Sequence, residues 1–150
     1  MRTLGNLLWH FPFFGFVSAF LHYLLGILLI ATVIGAPIGL GIVQYAQFLL
    51  RPFSRAMVEK PQSDINPAWQ TYSTVVWLIY LPFGIVLLIL SACQIIGLMC
   101  SLAGIPTAIV LAKSLSTYLK PINKTCVPIL VRDEMQKQKA RDYIDKNFRR

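Results

Sequence analysis

The side chains that could best take part in binding or transport are three polar residues in or beside long apolar stretches: Gln44, Gln47 and Lys113. Gln44 and Gln47 share one face of a helix, where amides either hydrogen-bond to a neighbouring helix or line a polar path. Lys113 follows a run of 48 uncharged residues. Its ammonium group either snorkels to the lipid headgroups or points inward, where it would favour anions in a pathway.

The other residues that commonly do chemistry make no recognisable catalytic or metal-binding set. His10 and His22 have no Asp, Glu or Cys at ligand spacing. The three cysteines include no CxxC pair, and their odd number does not suit a disulfide framework. No nucleophile, phosphate-binding or zinc-protease motif occurs, and the apolar runs contain no carboxylate. The sequence therefore predicts no enzyme, no metal site and no cofactor.

Two Gly/Pro breaks interrupt the apolar stretches. They are formed by Gly35, Pro37, Gly39, Gly104 and Pro106. Proline inside a helix removes a hydrogen bond and leaves a carbonyl oxygen that must be satisfied locally. In a membrane, such a break faces neighbouring helices or water. Either the breaks kink two helices around their neighbours, or they line a solute pathway.

Both uncharged runs are too long for one membrane span. The runs are residues 3–50 and 65–112. A helix of 48 residues would be about 72 Å long, more than twice the ~30 Å hydrocarbon core. Each run is therefore predicted to fold back once, near Gly26 and near Gly97. This leaves Pro37 and Pro106 inside the second span of each hairpin. The alternative places the turns at the Gly/Pro breaks and leaves about 14 residues as a re-entrant segment.

Basic residues occupy three zones, which lie at the start, between the two runs and at the end. The second and third zones begin with similar basic boxes, Arg51 with Arg55 and Lys120 with Lys124. Because segments rich in Lys and Arg stay in the cytoplasm, three zones on one side require each run to cross twice. The sequence thus predicts four spans with cytoplasmic termini, and it predicts no nucleic-acid binding despite the net charge of +8. Aromatic residues near the predicted membrane boundaries, which suit interfacial anchors, are Trp9, Trp69, Tyr72 and Trp77.

The breaks and the basic boxes recur at a constant offset of 69 residues. The break at Gly35 recurs at Gly104, and the box at Arg51 recurs at Lys120. This spacing predicts a duplication, in which two hairpins of the same orientation form a parallel repeat. Pro128 suits the start of a further, amphipathic helix. The predicted domains are a first hairpin (1–55), a cytoplasmic linker (56–72), a second hairpin (73–124) and a basic tail (125–150).

The first 124 residues resemble the YccF family of small bacterial inner-membrane proteins, whose domain occurs as a tandem pair. The resemblance rests on Gly35-Ala36-Pro37-Ile38-Gly39, Pro52-Phe53-Ser54-Arg55, Gly104-Ile105-Pro106 and Pro121-Ile122-Asn123-Lys124. Family boxes more often read Pro-Phe-Gly-Arg, so Ser54 stands where glycine is usual. The resemblance implies location in the bacterial inner (plasma) membrane, and it supplies no catalytic residues.

These features predict an all-α integral membrane protein with four transmembrane helices, arranged as two parallel-repeat hairpins, and a C-terminal cytoplasmic helix. Glycines on the predicted spans would let several copies pack as a homo-oligomer in the lipid bilayer. The first functional hypothesis is a channel for an ion or small solute, with the Gly/Pro breaks near its constriction. The alternative is a non-conducting scaffold whose basic C-terminal helix binds a partner or anionic lipid.

Overall fold

The computed structural model describes residues 2–11, 13–61 and 65–148; linker positions 62–64 and tail positions 149–150 lie outside the described residues. The helices are α1 (Arg2–His10), α2 (Gly15–Ala31), α3 (Ala36–Leu50), α4 (Pro67–Met99), α5 (Ile105–Leu119) and α6 (Ile129–Phe148). Two strands, β1 (Arg55–Glu59) and β2 (Lys124–Pro128), pair with each other as a ribbon. The chain is mostly helical, and the prediction of an all-α fold missed this ribbon.

Helices α2 and α3 form one hairpin and α4 and α5 form another, and the two turns are built alike. In the first turn, Thr32 Oγ1 accepts a hydrogen bond from Gly35 N at 3.1 Å. In the second, Ser101 Oγ accepts one from Gly104 N at 3.0 Å. A Cβ atom on either glycine would press against a backbone carbonyl of the preceding helix. Both turns therefore need glycine at this position.

The Gly/Pro breaks are these turns, and the prediction that the chain folds back near Gly26 and near Gly97 is wrong. Pro37 and Pro106 lie in the first turns of α3 and α5. Proline is favourable there, because the first N–H groups of a helix have no partner within it. Gly26 instead packs inside the first hairpin against the backbone of Gly39, and Gly97 is exposed on α4. The alternative position of the turns is the one that the structure has.

Helix length supports one clear membrane span within the described residues. Helix α4 has 33 residues, which is about 50 Å of helical rise. Helices α1 and α2 are long and apolar enough only when taken together, and they are bent by 78° at the break between them. Helices α3 and α5 have 15 residues each, about 22 Å, which is less than the ~30 Å hydrocarbon core. Four crossings thus stay a prediction.

The antiparallel ribbon joins the segments that follow the two hairpins. Its central pair is Met57 opposite Cys126, and its end pairs are Arg55 with Pro128 and Glu59 with Lys124. Both strands, like α3 and α5, begin and end at positions that differ by the same offset of 69 residues. Met57 and Cys126 differ by this offset too, so the ribbon is centred on two equivalent positions.

The two hairpin turns lie at opposite ends of α4. Tyr72, near the start of α4, donates a hydrogen bond to Val33 O in the first turn at 2.7 Å, whereas the second turn follows Met99. Tyr72 and Met99 are about 40 Å apart by helical rise. This differs from the predicted parallel repeat, in which the two hairpins have the same orientation. The two halves also meet where Gly41 of α3 packs against the backbone of Pro121 in the second basic box.

Candidate functional site at the crossing of the two halves

Two of the polar residues predicted to line a path instead hold the halves of the chain together. Gln44 Oε1 accepts hydrogen bonds from Cys126 N at 3.0 Å and from Thr125 Oγ1 at 3.4 Å in the second half. Lys113 reaches in the other direction: its Nζ donates to Pro52 O at 3.1 Å and lies 4.9 Å from the centre of the Phe53 ring. These two residues are equivalent by the offset of 69. Lys113 contacts the first basic box, and Gln44 contacts the two residues that directly follow the second box.

A buried hydroxyl cluster lies where α3 crosses α5. Tyr45 OH donates to Ser114 Oγ at 2.9 Å, and Ser114 Oγ donates to Val110 O at 2.8 Å. Tyr118 OH is 2.9 Å from Tyr45 OH, and since the only proton of Tyr45 is already donated, Tyr118 is the donor. Tyr45 and Ser114 are again 69 positions apart. The cluster therefore satisfies its polar groups internally, at a second pair of equivalent positions.

Ring donors satisfy the carbonyl groups at the ends of α3 and α5. The four bonds are Trp9 Nε1 to Leu49 O (2.8 Å), His10 Nε2 to Leu50 O (2.9 Å), Trp77 Nε1 to Leu119 O (3.1 Å) and Tyr80 OH to Tyr118 O (2.8 Å). The last carbonyl groups of a helix have no partner within it, and lipid offers none. Aromatic residues that resemble membrane anchors in the sequence therefore close the ends of helices.

The remaining predicted pathway residues are dispersed, except that Pro37 borders the same cavity of about 90 Å³ as Gln44. Gln47 borders a cavity of about 570 Å³ between α2 and α3 that is otherwise lined by apolar and aromatic residues. Pro37 and Gly39 are buried in the first hairpin, and Gly104 is buried in the second turn. The structure thus brings Pro37 beside Gln44, but it does not bring both Gly/Pro breaks and the three polar residues together at one constriction.

The residues of the basic boxes have different surroundings around the ribbon. Arg51 is exposed. Arg55 Nη1 approaches Cys126 Sγ at 4.0 Å, and Lys120 Nζ lies 3.4 Å from Glu59 Oε1 in a solvent-exposed ion pair. Sequence reasoning identified these positions as basic boxes, but the strand pairing that brings Glu59 to the second box could not be read from local sequence.

Lys124 differs from the other box residues because it is only 6% exposed. Its Nζ donates a hydrogen bond to Ser116 Oγ at 2.9 Å, which is a neutral partner. Burial lowers the pKa of Lys124 from 10.5 to about 8; Glu59 acts to raise this pKa and Lys120 acts to lower it. At neutral pH the folded chain therefore holds a charged amine in a place that disfavours the charge.

The burial of Lys124 makes stability depend on pH. Between pH 8 and 10.5 the folded chain has released a proton that the unfolded chain still binds, so the free energy of unfolding rises with pH through this window. The expected gain from this group is up to about 3 kcal/mol. In a Lys124→Met variant this contribution is absent. The measurement is detergent-micelle unfolding from about pH 7 to about pH 11, and parallel curves for the two proteins would contradict the prediction.

Helix α6 begins directly after Pro128, as predicted from the sequence, and none of its described residues is buried. It is tied to the ribbon at its start, where Ile129 N donates to Ser54 O at 3.1 Å. Its ion pairs are Arg132 with Asp133 (2.7 Å) and Lys137 with Glu134 (2.8 Å). Toward its end, Ile144 and Phe148 are exposed, the latter by 74%. The helix therefore presents apolar side chains on a charged surface.

Comparison with known proteins gives one match. Residues 4–55 match the model of the YccF family, which is described as an inner membrane component domain. The matched segment includes most of α1, all of α2 and α3 and the first basic box. It does not include the second hairpin, whose origin as a second copy stays a prediction. No curated protein and no solved structure matches the chain.

Proposed function

We propose that the protein is a non-conducting inner-membrane scaffold that presents α6 to a protein partner in the cytoplasm. Its place in the membrane is supported by the match of residues 4–55 to the YccF family, an inner membrane component domain. The hairpins anchor the chain in the bilayer, and the ribbon joins them to α6. The basic zones around the ribbon support this orientation, because Lys and Arg favour the cytoplasmic side.

The observation that carries this proposal is the use of Gln44 and Lys113 as ties between the halves. Gln44 bonds to Cys126 of β2 at 3.0 Å, and Lys113 bonds to Pro52 of the first basic box at 3.1 Å, so each side chain reaches the opposite half. A side chain that lines a pathway needs polar groups free to face water or a solute. Here the polar groups instead stabilise one arrangement of the two halves, which suits a rigid anchor.

The charge balance of α6 favours a protein partner over a lipid surface. The helix contains five basic and four acidic residues, and two of the ion pairs lie within it. Helices that lie on anionic lipid have a polar face rich in Lys and Arg. A mixed charged surface around exposed Ile144 and Phe148 is instead typical of a helix that docks in a groove of another protein.

We also infer that residues 73–124 are a diverged second copy of the matched domain. The first support is that α5 begins and ends 69 positions after α3, and β2 begins and ends 69 positions after β1. The hydroxyl groups of Thr32 and Ser101, also equivalent, make the same turn bond. Two equivalent copies that contact each other through matching residues have the self-complementary pattern of a two-fold interface. The chain would then contain an internal dimer.

The test of the scaffold is removal of α6. Deleting residues 129–150 is expected to abolish partner capture while the hairpins stay folded. The measurement places a photo-crosslinking residue at Phe148 in the full chain in native membranes, with Phe83, an exposed residue of α4, as the matched lipid-facing control. A specific protein adduct at Phe148 that is lost on replacing Ile144 by Glu is the expected result. Adducts to lipid alone at both positions would contradict it.

The homo-oligomeric channel predicted from the sequence and the proposed scaffold differ in what reconstituted protein should do. A channel requires conductance for an ion or small solute, whereas the scaffold gives none across voltages. Conductance that changes on replacing Lys113 by Gln would overturn the scaffold. The exposed apolar surfaces of α2 and α4 are covered by lipid in the proposed state, and further copies of the chain are not needed to bury them.

A further inference from the structure

Two small polar cavities adjoin at the ribbon, and Gln44 is the one residue that carries the proposed function and also borders them. Their volumes are about 170 Å³ and about 90 Å³. Lys60 and Asn123 border both. Glu59, Gln70, Thr74, Trp77 and Lys120 also line the larger one, and Gln44, Trp69 and Lys124 also line the smaller one. The larger volume equals that of about six water molecules in the liquid, which suits a small polar group and not a drug-sized ligand.

The two residues that border both cavities are held in place by hydrogen bonds among three segments of the chain. Lys60 N donates to Asn123 O at 2.9 Å, beyond the last pair of the ribbon. Asn123 Nδ2 donates to Ser73 Oγ of α4 at 3.2 Å, and Ser73 is fully buried. Asn123 has a φ of 53°, a conformation that asparagine tolerates better than most residues. The site is therefore formed by the fold itself.

The lining of the two cavities carries an excess of positive charge. Three lysines, Lys60, Lys120 and Lys124, border them, against one carboxylate, Glu59. Glu59 lies 3.4 Å from Lys120 in an exposed pair, and Lys124 is buried with only a neutral hydroxyl as its hydrogen-bond partner. Buried and crowded amines are stabilised when an anion joins them, because charge-assisted hydrogen bonds replace lost hydration.

The residue types around the cavities are typical of the level of lipid headgroups. Trp69 and Trp77 border them, and indole side chains are enriched at the membrane–water interface. The exposed apolar surface of α4 begins beside them at Val75 and Leu78. A lipid whose acyl chains lie along this surface would bring its headgroup to the lysines. Basic pockets between membrane helices on the cytoplasmic side commonly bind anionic headgroups.

We propose that the joined cavities bind the phosphodiester group of one anionic phospholipid. Lys60 and Lys120 contact the phosphate oxygens from the open side, Lys124 contacts them from within the fold, and Asn123 and Thr74 bind the polar part of the headgroup. This site is independent of the proposed scaffold, because it includes no residue of α6.

The experiment uses the full chain in a neutral detergent, titrated with phosphatidylglycerol, and native mass spectrometry counts the bound lipids. The expected result is one tightly bound phosphatidylglycerol, with phosphatidylcholine bound at least tenfold more weakly. Replacing Lys60 by Gln should weaken binding about fivefold, and replacing Lys60 and Lys120 together about 25-fold. Lys60 is exposed, so its replacement leaves the fold intact even where the double variant is unstable.

A matched control separates this site from general attraction of anionic lipid to a basic protein. The double variant Lys137→Gln, Lys139→Gln removes the same charge from exposed α6 and should change binding by less than twofold. Equal loss in the two double variants would overturn the proposal. Displacement of the lipid by millimolar inorganic phosphate, together with equal binding of the two lipids, would overturn the phospholipid as the ligand and indicate a soluble phosphate compound.

Discussion

Replacing Gly41 by alanine is expected to lower the free energy of unfolding by at least about 3 kcal/mol. A Cβ atom at this position would overlap the carbonyl oxygen of Pro121, and neither group belongs to a flexible side chain. Overpacking of a well-packed site typically costs 1–3 kcal/mol, and more where backbone must move. Here the movement would separate α3 from the second basic box and stretch the bond between Gln44 and Cys126.

The matched control for this prediction is Gly97→Ala. Gly97 lies inside α4 and a Cβ atom there would contact nothing within 4 Å. Alanine has a higher helix propensity than glycine, so this variant should be more stable by up to about 1 kcal/mol. The measurement is reversible unfolding of both variants in mixed micelles. A Gly41→Ala variant as stable as Gly97→Ala would show that the close approach of the halves is absent in the membrane.

Local sequence patterns were sufficient to predict a mostly helical chain, the basic boxes and the helix after Pro128. The Gly/Pro breaks were also found, but their role was misassigned. Span length favoured a turn near Gly26, because two equal spans fit the bilayer best. The preference of Pro37 for the first turn of a helix was the better signal. Proline position therefore deserves more weight than equal division of an apolar run.

Long-range contacts account for what the sequence could not predict. The ribbon pairs segments 69 residues apart, and no alternating pattern marks either strand as strongly as the apolar runs mark the helices. The roles of Gln44 and Lys113 follow from this pairing, because each side chain meets the opposite half only when the halves cross. An isolated polar residue near a membrane span does not reveal whether its partner is water or backbone.

Replacing Trp9 by alanine is expected to lower the free energy of unfolding by about 3–5 kcal/mol. Trp9 is another residue whose role in the fold differs from the role that its position in the sequence suggests. Its position near a predicted membrane boundary suggests an anchor in the headgroup layer. It is instead 5% exposed and belongs to the core cluster with Tyr45 and Phe48. The indole also lies against Gly15, where a Cβ atom would overlap it.

Two further variants separate the hydrogen bond and the ring packing of Trp9 from the general effect of an aromatic ring in the micelle. Trp9→Phe keeps most of the ring but leaves Leu49 O without the donor that lies at 2.8 Å, so the expected loss is about 1–3 kcal/mol. Phe11→Ala removes a neighbouring aromatic ring that is 80% exposed and should change stability by less than about 0.5 kcal/mol. Unfolding in micelles measures all three. If Phe11→Ala lowered the free energy of unfolding as much as Trp9→Ala, partition of aromatic rings into the micelle would explain the loss. The contact of Trp9 with the end of α3 would then not be its cause. The expected order, Trp9→Ala above Trp9→Phe above Phe11→Ala, would locate the stabilising contact inside the fold, where α1 closes the end of α3.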